Sequence, residues 1–344
     1  MVHRAVHETS IIDIHTHLYA PRFNRHAEGF LLSGIDELLD YHYLHAEVLR
    51  ASDASLTPER LLGMVQRERA DLIWRILFRD RAPLSEACRG VVTTLRMLGL
   101  DPEADSLDSI RSWFVQRDVE AHVDDVLRRA GVERVTMTND VLRRRERAAW
   151  LSDDALGRDA RFSAVVRLDA LLCEPDGALR ELHALGHDGD NAATATMGFV
   201  SEWIGRTHAV YVAASLPPTE GTTLTPSRAG DRILYEGVLP ALAEHGVPLA
   251  LMIGVRRGVH PALASAGDGS GPSDLRALEP LCDHSQALGV DLLITTLARE
   301  DQHGLCVLAR KFAHLTPFGC WWFLNTPEQL QTQPRHLLDL PGGV

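Results

Sequence analysis

IIDIHTH, residues 11–17, is an apolar run that ends in two histidines one residue apart. Read as a strand, its alternate side chains share a side. His15 and His17 therefore project together at the strand's carboxyl end, with Asp13 on the same side. Imidazole is a good ligand for zinc and related divalent metals. An acid just before the pair is placed to orient it as a hydrogen-bond acceptor.

Six further apolar runs follow, at 133–139, 161–172, 208–218, 247–257, 290–298 and 315–325. Amphipathic helical stretches such as VEAHVDDVLRRAG (119–131) separate them. Strands apolar on both faces and joined by helices predict parallel βα units. Seven in succession, the first ending in a metal-like pair, predict an α/β fold of the (β/α)8 TIM-barrel type, which carries its site at the carboxyl ends of the strands. Residues 30–117 break the pattern with helical spacing only. They are expected to form a helical insertion between strands 1 and 2, with the barrel drawn from 1–29 and 118–344. After Asn325 nineteen residues remain, too few for a strand and its covering helix, so the barrel is expected to be truncated after strand 7.

Composition narrows the partners. With 47 acidic against 35 basic residues the net charge is −12, which argues against nucleic acid but not against an acidic small molecule held by local arginines. No apolar run is long enough for a membrane span, and the first residues lack a secretory pattern. The five cysteines form no CxxC. Free thiols in a reducing, cytoplasmic setting are expected, and a homo-oligomer is compatible with the sequence. The single lysine, Lys311, lies on a helical stretch before a strand, a poor place for Schiff-base chemistry.

DIHTHLYAPRF (13–23) resembles the first-strand motif of the amidohydrolase superfamily. LLDYHYLHAE (38–47), RADLIWRILF (69–78), RLDALL (167–172) and FGCWWFLNTPE (318–328) together resemble the uronate isomerase family, which interconverts glucuronate and fructuronate, or galacturonate and tagaturonate. The resemblance implies that His15 and His17 are ligands of a divalent metal, Zn2+ by donor type. It implies that His42 and Tyr43 are the family's His–Tyr pair, and that Arg167 and Arg257 hold a hexuronate substrate. Two departures stand out. Met252 occupies a strand-five position where some members carry a histidine. The strand-eight aspartate and the arginine two residues after it have no counterpart, and Asp339 does not have the spacing.

The chemistry fits these residue types. Arginine binds a carboxylate bidentately. Aldose–ketose isomerisation needs a base near C2, an acid for the adjacent oxygen, and a stabiliser of developing charge. Tyr43 is expected to serve as the base if metal and arginines lower its pKa. Two other readings remain open: a metal-dependent hydrolase of lactones, amides or esters on the same barrel, and an inactive truncated remnant.

Overall fold

The computed structural model describes residues 9–25, 34–152, 159–218, 229–319, 324 and 326–332. Its strands are β1 (Ile11–Thr16), β2 (Val132–Met137), β3 (Phe162–Ser163), β4 (Val166–Arg167), β5 (Val212–Leu216), β6 (Leu249–Ile253), β7 (Val255–Arg256), β8 (Gly269–Ser270), β9 (Leu292–Thr296) and β10 (Leu315–Pro317). They form a three-stranded sheet in the order β1-β2-β3, a five-stranded sheet in the order β10-β9-β6-β5-β4, and the small pair β7-β8. The pairs β2–β3, β4–β5, β5–β6, β6–β9 and β9–β10 are parallel.

The seven predicted strand regions thus follow one another in chain order, with differences in extent. The run 161–172 is not a single strand. It breaks at Ala164–Val165 and changes partner, from β2 on one side of the break to β5 on the other. Its end turns into the helix Asp169–Cys173. An apolar run does not distinguish strand from buried helix, which is why the pattern overran the strand. The last run is shorter than expected: β10 ends at Pro317, and Cys320–Phe323 and Asn325 lie outside the described residues, as does Asp339. No eighth strand follows β10 among the described residues.

Parallel register sets which side chains share a face. Ala213 pairs with Ala250 and Ala250 with Leu293, while Ser215 pairs with Met252 and Met252 with Thr295. One face therefore carries the buried cluster Val165, Tyr211, Ala213, Ala250 and Met252. Arg167 and Ser215 lie on that same face, nearer the carboxyl ends. β5 and β6 are buried along their whole length. β1 differs: Ile11, Ile12 and Ile14 are each about half exposed, 45–50%. It ends its sheet, with no strand on its outer edge among the described residues.

Between β1 and β2 the described chain is helical, from Ile35–Leu39 to Val119–Ala130. Capping explains several boundaries. Ser85 and Asp118 accept the backbone N–H of Cys88 and Ala121 at two helix starts. Gly131, at φ 67°, supplies the left-handed turn that ends the last helix before β2.

The chain divides into two compact units, each described separately: one takes residues up to 13, 18–134 and 257–269, the other 14–17, 135–256 and from 270 onward. The first unit is wider than the 30–117 span expected from sequence. Its core packs Ile35, Leu44, Val48, Ile73, Trp74 and Leu95. No described helix is long and apolar enough to cross a membrane.

In the second unit Asp301 is buried and accepts the Ser273 backbone N–H at 2.9 Å. Burial pushes its carboxyl up to about 6, and Glu300 adds to the shift. A carboxyl raised on folding favours the native state below its unfolded pKa, and that contribution is lost as pH rises through the folded value. Replacing Asp301→Asn keeps an acceptor and removes the charge. Urea unfolding from pH 4 to 7 is expected to show a wild-type loss, relative to the variant, of up to about 3 kcal/mol. Parallel pH profiles for the two proteins would contradict it.

Candidate active site

In the second unit the His15 and His17 rings stand edge to face, with centroids 5.6 Å apart. This is the same-side placement expected of residues two apart. Thr138, just beyond β2, donates its backbone N–H to the Thr16 carbonyl at 3.0 Å. Its hydroxyl donates to the same carbonyl at 3.1 Å and lies 2.9 Å from His17 Nδ1. Tyr211, just before β5, donates its hydroxyl to the Ile14 carbonyl at 2.6 Å and lies 3.4 Å from His15 Nδ1.

Arg167, at the end of β4, meets Asp169 through two bonds, Nε at 3.0 Å and Nη2 at 2.6 Å. Nη2 also donates to Ser215 Oγ at 3.2 Å. Asp169 accepts the Ser215 backbone N–H at 3.2 Å. Arg167's own N–H reaches the Asn139 carbonyl at 2.9 Å. Asn139 and Asp140 are tied in turn to the buried Glu146, whose two oxygens accept Asn139 Nδ2 and the Asp140 N–H. Burial, His17 and Arg167 lower the His15 pKa to about 3, against a smaller opposing effect of Asp169. The imidazole is neutral at physiological pH, the state a metal ligand requires.

The donor set offers a metal two imidazoles, of which His15 is held neutral. A ligand bound by both would take Nε2 of each ring, since both Nδ1 atoms face hydroxyls. No group of three or more His, Cys, Asp or Glu side chains among the described residues is placed to hold a metal ion. Imidazole nitrogen is a donor type suited to a first-row divalent ion.

The other expected site residues belong to the first unit. Tyr41, His42 and Tyr43 cluster at the start of the helix His42–Ala51, with the His42 and Tyr43 rings 4.4 Å apart. Burial and His45 lower the His42 pKa, against Asp268. Burial, Tyr41 and Glu86 raise that of Tyr43. The direction of this shift is opposite to the one a tyrosine base needs. Arg257 forms an ion pair with Asp268, which also accepts the Gly258 N–H at 2.9 Å. Thus the structure brings His15, His17 and Arg167 together in one unit, and places His42, Tyr43 and Arg257 in the other.

Sequence reasoning missed Thr138, Tyr211, Asp169 and Asp40. Only Asp169 carried a local signal, an aspartate two residues after the strand-end arginine. Asp40 directly precedes the Tyr41–Tyr43 cluster. It accepts from His45 Nε2 at 2.7 Å and from Arg69 Nε and Nη2 at 2.5 and 2.7 Å. These partners hold its carboxyl well below the usual range, against the effect of burial.

No protein-family model and no curated protein matches the chain. Solved structures do. The parallel sheets and helices form a mixed α/β fold, shared with a uronate isomerase from Thermotoga maritima at a TM-score of 0.69. At 15% identity over 96% of this chain and 79% of that one, the likeness is one of fold. A uronate isomerase from Bacillus halodurans C-125 superposes with a TM-score of 0.91 at 42% identity, over 99% of this chain and 79% of that one. The chain belongs to the uronate isomerase family.

Asp40→Ala leaves the Arg69 charge, only 13% exposed, without its carboxylate. A loss of about 3–5 kcal/mol of stability is expected in denaturant titration at pH 7, the cost of an uncompensated buried charge. A loss below about 1 kcal/mol would class the pair with ordinary surface ion pairs.

Proposed function

We propose that the protein is a uronate isomerase, converting D-glucuronate to D-fructuronate and D-galacturonate to D-tagaturonate. The observation that carries this reading is the 42% identity over 99% of the chain with a protein described as a uronate isomerase. The ordered run of parallel strands supports a (β/α)8 barrel of the amidohydrolase type, with 30–117 read as the helical insertion.

In this reading Arg167 grips the substrate carboxylate, its guanidinium already aligned by Asp169. Arg257 is the second arginine of the substrate site. His15 and His17 hold a divalent metal, Zn2+ by donor type, which when bound supplies a Lewis acid for the sugar oxygens. His42 and Tyr43 move the protons. Their shifts divide the roles: a neutral imidazole accepts a proton from C2, and a protonated phenol donates to the adjacent oxygen.

The test is ketose formation from glucuronate and galacturonate, with and without chelator. Turnover lost on chelation and restored by zinc is expected. An active enzyme indifferent to metal removal would reject the role of His15 and His17, and no ketose from either sugar would reject the isomerase reading. His42→Gln is expected to abolish exchange of the C2 proton with solvent. Tyr43→Phe is expected to slow turnover by roughly 10²–10⁴-fold with exchange still detectable. Exchange that persists in the His42 variant would remove it as the proton acceptor.

A further inference from the structure

Both imidazoles at the end of β1 are attached in the same way. A hydroxyl from another segment binds the carbonyl of the preceding residue and touches Nδ1 of the histidine itself. Tyr211 joins the Ile14 carbonyl to His15, and Thr138 joins the Thr16 carbonyl to His17. A hydroxyl has one hydrogen, and a carbonyl oxygen has none to give. The 2.6 Å contact between Tyr211 and Ile14 therefore contains the phenolic hydrogen. The 3.1 Å contact between Thr138 and Thr16 is read in the same way, with the hydroxyl donating to the carbonyl that also accepts the Thr138 N–H.

With its hydrogen committed to β1, each hydroxyl turns a lone pair to the ring. The contacts of 2.9 Å at His17 and 3.4 Å at His15 are then hydrogen bonds only if Nδ1 carries the ring hydrogen. We infer that Thr138 and Tyr211 are positioning residues that hold His17 and His15 in the Nδ1–H tautomer and put the lone pair of each ring on Nε2. Free histidine prefers the opposite tautomer, so the arrangement is imposed by the fold. A metal-binding histidine ordinarily has its second nitrogen held by a carboxylate, a carbonyl or water. Here two side-chain hydroxyls do so, each fixed by the strand that carries its histidine.

The consequence for metal affinity rests on the proposed reading of His15 and His17 as a metal pair; the tautomers do not. The test uses metal-free protein with ¹⁵N-labelled histidine and long-range ¹H–¹⁵N correlation at pH 8. The two rings are assigned with His15→Gln and His17→Gln. Both are expected to show a protonated Nδ1 and an unprotonated Nε2. Thr138→Val is expected to shift His17 toward the other tautomer and leave His15 unchanged. Tyr211→Phe should do the reverse, and Thr138→Ser should keep the native pattern.

An Nε2–H signal at either ring of the unmodified protein overturns the inference for that ring without any variant. Unchanged tautomers in both hydroxyl deletions overturn it as a whole. Zn2+ affinity, measured by chelator competition, is expected to fall about 10–100-fold in each deletion. Shifted tautomers with unchanged affinity would uphold the inference and remove the metal pair instead.

Discussion

The strand that ends at the two imidazoles is fastened through its backbone, by contacts beyond its pairing with β2. β1 buries little, since its three isoleucines are each about half exposed. Apolar burial would otherwise be the main force holding a strand of this composition. Polar contacts take a larger share here: Gly131 accepts the Ile11 N–H, Tyr211 binds the Ile14 carbonyl, and Thr138 binds that of Thr16 twice. Two of these anchors also reach the imidazoles. The placement of the strand and the protonation pattern of its histidines therefore share a cause, and a change that loosens one reaches the other.

Beside the imidazoles a guanidinium has to be tolerated. Arg167 helps to suppress protonation of His15, and its own positive charge is largely withdrawn from water. Asp169 answers that charge from two residues away, with a bidentate pair that needs no long-range assembly. The turn from β4 into the helix at Asp169 makes the geometry possible, and the Ser215 N–H keeps the carboxylate from swinging away. Arg167 is thus held flat and charged beside the neutral imidazole of His15.

What could be read from the sequence follows the range of the interaction. The same-side placement of His15 and His17 is a two-residue effect, and the helical character of 35–115 is a matter of local period; both were legible. The break at Ala164–Val165 was not, because a strand that changes partner has the same apolar composition as one that does not. Thr138 and Tyr211 lie 121 and 196 residues from the histidines they touch. No spacing rule joins such residues; only the strand order does. Asp40 was hidden for the same reason, since its partner Arg69 is 29 residues away on another helix.

The tyrosine of the His–Tyr pair shows how environment outweighs residue type. A phenol becomes a base only where its anion is stabilised, by cations or by several donors. Around Tyr43 burial, Tyr41 and Glu86 all oppose ionisation: burial removes water, and the two side chains disfavour a further negative charge. Burial acts on His42 in the opposite chemical sense, because the charged form it disfavours is the protonated one. One cause thus leaves the imidazole with a lone pair and the phenol with its hydrogen. Before any proton moves, neither residue carries a charge.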